Sequence, residues 1–134
     1  MNLSTPNRMI WIYFAALRRR VRELQKISDA DLQKIEIAFC IMLSVIVVET
    51  FLNVFFRVVV SEKEFIQCSS AILNDIEKRK GLAHKLKTWP QTVFGKQLDG
   101  TATALLDFEK IRTRRNSLMH FTSSQEILAL EGIQ

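Results

Sequence analysis

The chain has 134 residues, with 19 Lys and Arg against 14 Asp and Glu, for a formal net charge of +5. A composition 48% hydrophobic and 25% charged is that of a folded domain and excludes a disordered chain, and the length suits one domain (residues 1–134) with a real core. Four Gly and two Pro are too few turn residues for a barrel or sandwich of many short strands, and two Cys cannot make a disulfide framework.

In chain order, Ser4, Thr5 and Pro6 offer a helix start, and a first helix is expected from about Asn7 to Ile27. Its apolar part, Met9 to Leu17, is followed rather than preceded by Arg18, Arg19 and Arg20, the wrong order for an export signal. Ser28-Asp29-Ala30-Asp31 is a capping sequence for a long second helix, about Asp31 to Val60. A membrane span is the rival for Ile37 to Val60. The uninterrupted apolar part ends at Val48, however, and Glu49, Asn53 and Arg57 then recur at steps of four as one polar stripe. A carboxylate in mid-span is costly in lipid, so the expectation is a buried helix of a cytoplasmic protein, with no membrane partner.

Ser61-Glu62-Lys63-Glu64 resembles a further cap, with a third helix running to Lys80 and stopped by Gly81. Leu82 to Gly100 contains Trp89-Pro90, Gly95 and Gly100, so a broken segment is expected there, a short helix and a loop. Thr101 starts a helix that passes through Arg115 to about His120, and Ser123 to Glu126 suggests one last short helix. No repeat or low-complexity tract appears. The fold class expected is all-α, an antiparallel helical bundle of four to five helices.

Cations gather in three clusters: Arg18 to Arg22; Lys78 to Lys96; and Lys110, Arg112, Arg114 and Arg115. Such clusters are either solvated helix faces or a surface for a polyanion. On the last long helix, Ala104, Phe108, Ile111 and Leu118 keep an apolar spacing of three and four, and Arg115 falls on that stripe. An unpaired buried cation costs roughly several kcal/mol, so Arg115 needs an anion, and Glu49, in the apolar face of the long helix, is the partner expected from the sequence. His120 shares a face with Asn116 and Arg112, while Arg115 lies about 140° around an ideal helix from it. Arg115 and His120 then converge on one ligand only if the helix breaks or if two copies face each other in a homodimer.

An arginine fork suits phosphate, and an imidazole can move a proton near neutral pH. Together they could drive attack by the 2′-hydroxyl of RNA on its own phosphate without a metal. His84 and His120 are far apart in sequence, and no metal-ligand spacing, Ser–His–Asp arrangement or Gly-rich phosphate loop is visible, so neither metal nor cofactor is expected.

Arg115-Asn116-Ser117-Leu118-Met119-His120 resembles the Arg-x4–6-His signature of HEPN domains, and Glu49-Thr50-Phe51-Leu52-Asn53 resembles the Glu-x-x-x-Asn segment common in that family. The resemblance covers roughly Cys40 to Ser124. It implies a helical bundle that dimerises, with the motifs meeting in an interface cleft, and the activity of a metal-independent endoribonuclease of the toxin or phage-defence kind. Carried over, Arg115 and His120 would be catalytic, Asn116 would contact or orient phosphate, and Glu49 would support Arg115. Asn53 and Arg112 complete the expected RNA-binding or supporting set. The family also includes non-catalytic RNA- or nucleotide-binding modules and partners of a nucleotidyltransferase-like antitoxin protein. Arg112-x-Arg114 before the motif and Phe121 after it depart from the family pattern. His84 is expected to be a surface residue.

Overall fold

The computed structural model describes residues 5–119. The protein is all-α, with five α-helices and two short 3-10 turns and no strand among the described residues. The helices are α1 (Thr5–Glu23), α2 (Ala30–Val59), α3 (Ser69–Glu77), α4 (Leu82–Phe94) and α5 (Thr103–Met119). The chain divides into two compact units: the described parts of Met1–Val47 and Thr101–Gln134 form one, and Val48–Gly100 forms the other. The final short helix expected from Ser123 lies outside the described residues.

In the first unit, α1 leads through a 3-10 turn, Leu24–Lys26, to the start of α2. Asp29 caps α2 as its sequence predicts: its Oδ1 accepts the Leu32 N–H at 2.9 Å, satisfying a donor the helix itself cannot. Two bonds tie the hairpin: Arg20 to Glu36 at 3.0 Å, and the Gln33 side-chain amide to the Leu24 carbonyl at 3.2 Å. Along α2 the run Val45-Ile46-Val47-Val48 is β-branched and intrinsically a poor helix former. Burial of Val45 and Val47 offsets that deficit.

The second unit holds the end of α2 against α3 and α4. Phe56, buried, meets Trp89 edge to face at 5.4 Å between ring centres, and Phe94 stands 6.0 Å from Phe56 and 5.5 Å from Phe65. Trp89 and Ile72 are fully buried. Leu82, Lys85, Trp89, Pro90 and Val93 form the buried face of α4.

Three local expectations are corrected. Ser61 does not open a helix; its hydroxyl donates to the Val58 carbonyl at 2.6 Å and closes α2, so the third helix starts only at Ser69, after a 3-10 turn at Ile66–Cys68. The third helix also ends early. Arg79 adopts φ 54°, which lets the Arg79 and Lys80 N–H groups bond back to the Ile76 and Asp75 carbonyls, so Gly81 is left to precede α4 rather than to stop α3. Leu82 to Gly100 is a helix and then a loop, as expected, but the break falls at Gly95 rather than at Trp89-Pro90. α4 runs through Pro90, which removes one N–H bond but is itself buried, and ends at Gly95, whose φ of 69° makes it the left-handed stop.

Candidate functional site

α5 carries the Arg115 motif as one regular helix to Met119. Its inward stripe is legible: Leu118 is buried and Phe108, Ile111 and Arg115 are half-buried, although Ala104 at its start is exposed. The Thr113 and Ser117 hydroxyls donate to the carbonyls four residues back, at 2.9 and 3.2 Å, so Ser117 is occupied within its own helix. Arg112 is likewise satisfied locally, with Nε and one terminal nitrogen on Glu109 Oε2 at 3.0 and 2.7 Å.

Arg115 differs from its neighbour. Its Nε is buried and has no hydrogen-bond partner. A guanidinium is permanently charged and needs acceptors in the plane of its fork, so an orphaned buried Nε marks a place where an acceptor belongs. Asn116, beside it, is half-buried. His120 lies outside the described residues.

Glu49 and Asn53 stand one turn apart on α2, in the second unit. In place of Arg115, the cation expected for Glu49, the structure supplies Lys85 of α4, whose Nζ donates to Glu49 Oε1 at 3.0 Å. Lys85 is only 3% exposed, and its ammonium lies 5.4 Å from the centre of the Trp89 ring, so an aromatic face as well as a carboxylate compensates for lost water. Asn53 Oδ1 is buried without a hydrogen-bond partner, the second such side-chain atom among the described residues.

A further polar group was not anticipated. Asp75 Oδ2 accepts from the Trp89 indole N–H and from His84 Nε2, each at 2.9 Å. An ionised carboxylate can only accept, so His84 donates to it from Nε2. Burial alone would raise the Asp75 carboxyl; the hydrogen bonds from Trp89 and His84, with the charges of His84 and Lys80, outweigh it and hold Asp75 below the usual carboxylate range. His84 is therefore half-buried and held rather than free on the surface. The signal for Lys85 was present in the sequence, as a cation in the apolar spacing Leu82, Lys85, Trp89, Val93, the same pattern that singles out Arg115.

Cys40 is buried, and burial pushes its thiol up, reinforced by Glu36 and opposed by Arg20. It therefore stays protonated and is a poor nucleophile. Among the described residues no group of three or more His, Cys, Asp or Glu is placed to hold a metal ion. In comparisons with family models, curated proteins and solved structures, nothing matches this chain.

Proposed function

We propose that the chain is a metal-independent endoribonuclease of the HEPN type, acting as a homodimer with Arg115 and His120 as its catalytic pair. The observation that carries this is the buried, unpartnered Nε of Arg115, which sets it apart from the exposed Arg114, the other arginine that the Arg-x4–6-His signature admits. Arg112, three residues earlier, has its carboxylate; Arg115 has an acceptor site still open, of the kind a phosphate oxygen fills.

In this chemistry the His120 imidazole removes the proton from a 2′-hydroxyl of RNA, O2′ bonds to the adjacent phosphorus, and the P–O5′ bond breaks. The products are a 2′,3′-cyclic phosphate and a 5′-hydroxyl, whose oxygen takes up a proton on leaving. Arg115 stabilises the negative charge that grows on the phosphoryl oxygens. Asn116 is placed beside Arg115 in sequence to add a hydrogen bond to the same phosphate. Glu49 and Asn53, with Lys85, are read as support for the fold on the α2 side.

The test is incubation of purified protein with RNA in EDTA. The native chain cleaves, and both Arg115→Ala and His120→Ala lose cleavage by about a hundredfold or more, the scale of a missing proton-transfer group or phosphate-stabilising cation. Cleavage that survives either substitution overturns the assignment. RNA binding without cleavage by the native chain would place it with the non-catalytic HEPN modules. If Arg115→Ala lowers stability by several kcal/mol, roughly, yet cleaves normally at a permissive temperature, the arginine is structural.

A further inference from the structure

The first basic cluster, Arg18 to Arg22, is not used by the proposed cleavage site. It lies on the second half of α1 and is divided in its use. Arg20 turns to Glu36 on α2. Arg18, Arg19 and Arg22 are exposed and have no carboxylate within ion-pair distance among the described residues. These three line a cavity of about 300 Å³ with Ala15 and Glu23. Glu23, the acid in that wall, is engaged by Lys26 at 3.3 Å. Three planar, permanently charged forks open to one concavity are a receptor for anionic oxygens.

The same face carries an aromatic ring. At helical spacing, Trp11, Ala15, Arg18 and Arg22 fall within an arc of about 60°, and from Trp11 to Arg22 the helix rises about 16 Å. Trp11 is 68% exposed, the most exposed large apolar side chain among the described residues. A bare indole in line with free guanidiniums pairs the two elements that single-stranded nucleic acid uses: a flat surface for a base and cations for its phosphates. Ala15 between them keeps the track low.

The opposite side of α1 decides between a nucleic acid and a lipid surface. A helix that lies in a bilayer interface needs its apolar face free for the acyl chains. In α1 that face belongs to the protein: Ile10 is buried and Tyr13 and Leu17 are half-buried on one side. The apolar side chains left exposed on α1, Met9, Trp11, Ile12, Phe14 and Val21, are spread over about 240° of the helix on both sides of the arginines, so they form no single apolar face for a bilayer.

We infer that the Trp11–Ala15–Arg18–Arg22 face of α1 is a landing track for single-stranded RNA, a base stacking on the Trp11 indole and successive phosphates meeting Arg18 and Arg22, with Arg19 at the side of the cavity. The inference rests on the ribonuclease reading for its ligand class and adds a substrate-holding surface separate from the Arg115 motif. It makes single-stranded RNA the preferred substrate, because a duplex keeps its bases stacked away from Trp11.

The experiment uses the full chain carrying His120→Ala, titrated with a fluorescein-labelled oligouridylate and read by anisotropy over a series of salt concentrations. On this background Arg18→Gln/Arg22→Gln weakens binding by about tenfold or more at low salt and lowers the slope of log affinity against log salt by about 1.4, the value for two phosphate contacts on a single strand. Trp11→Ala weakens binding about tenfold and leaves the slope unchanged, because stacking releases no counterions. Both sets of side chains are exposed, and thermal unfolding matching the parent's certifies the fold. Affinity equal to the parent's in both variants overturns the track; if the native chain still cleaves RNA, the ribonuclease reading stands without it. Loss of binding in both variants, with no cleavage by the native chain, upholds the track and removes the ribonuclease. Binding to phosphatidylserine vesicles in place of the oligonucleotide, lost in the same variants, overturns the RNA assignment in favour of a membrane surface.

Discussion

Lys85 shows how one side chain can set the local energetics of a small helical unit. It is a full charge at 3% exposure, held by the Glu49 carboxylate and the Trp89 ring. Substitution that removes one member of such a pair leaves the other charge buried, which costs about 3 kcal/mol, whereas replacing the cation by an apolar group of similar shape costs far less. Glu49→Gln is therefore expected to lower unfolding free energy by about 3 kcal/mol, and Lys85→Met by about 1 kcal/mol, since the aliphatic stem is kept and Glu49, on the more open side of the pair, can be hydrated. Urea titration of both variants checks the order; a larger loss in Lys85→Met would mean that the ammonium itself is strongly stabilising. Asp75 gives a second residue-scale test. Its carboxyl is held below the ordinary range, so the stability it contributes is fully present above the unfolded-state value, about pH 4, and is lost as pH falls through the lower folded value. Asp75→Asn should reduce stability at neutral pH by about 2 kcal/mol, the worth of hydrogen bonds to a charged acceptor, and the gap between variant and parent should narrow below about pH 4. A gap that stays constant down to pH 2 would contradict the depressed carboxyl. At this scale the sequence revealed which residues needed partners more readily than who the partners were. Arg115, Glu49 and Lys85 each stand out as charges in apolar spacing, but the choice of cation for Glu49 depends on packing between segments 36 residues apart, which no local pattern encodes.

At the scale of elements, the informative position is Arg79. It closes α3 in the left-handed conformation at φ 54°, where a Cβ costs about 1–2 kcal/mol and glycine is the usual occupant. Arg79→Gly relieves that cost but makes the unfolded chain more flexible, so the expected net gain is about 1 kcal/mol, seen as a higher urea midpoint with an unchanged slope. A destabilised Arg79→Gly would show that the arginine side chain contributes more than its backbone conformation costs. This stop also shows where the sequence misleads. Lys78-Arg79-Lys80-Gly81 reads as a basic helix end before a terminating glycine, yet the glycine serves α4 and a non-glycine residue takes the strained place. Pro90 misleads in the same way: its missing N–H argues for a break, but Trp89 and Pro90 are both buried, and the packed face of α4 offsets one lost backbone bond. Where the local chemistry was complete the boundary was legible. Asp29 supplies a side-chain acceptor at the start of α2, and α2 begins one residue later.

For the whole molecule, the open question of energetics is the apolar surface of α2. Leu32, Ile35, Phe39 and Ile46 are 59, 53, 52 and 52% exposed and recur at steps of three, four and seven, which places them along one side of the helix. α2 also contains an 18-residue window with a mean hydropathy of 2.3, of which only 22% is buried. Something must cover this row, and a bilayer and a second copy make different demands. The row from Leu32 to Ile46 rises roughly 21 Å, short of the roughly 30 Å hydrocarbon core. Beyond it, Phe51, Phe55 and Val58 are exposed too, but about 140° further around the helix, and Glu49 and Arg57 interrupt the stretch with charges. A seam of three-four-seven spacing is instead the pattern by which two helices interlock. The proposed composite site calls for the same association, because Arg115 and His120, five residues apart, would diverge on one regular helix. The expected outcome is a dimer in detergent-free buffer by light scattering, and a monomer for Phe39→Lys, which sets two ammonium groups against each other across the seam. That monomer should keep its helical signal and lose RNA cleavage, since no catalytic residue has been touched and only the partner copy is gone. A Phe39→Lys chain that stays dimeric would move the interface elsewhere, and one that is monomeric but fully active would show that a single copy assembles the site.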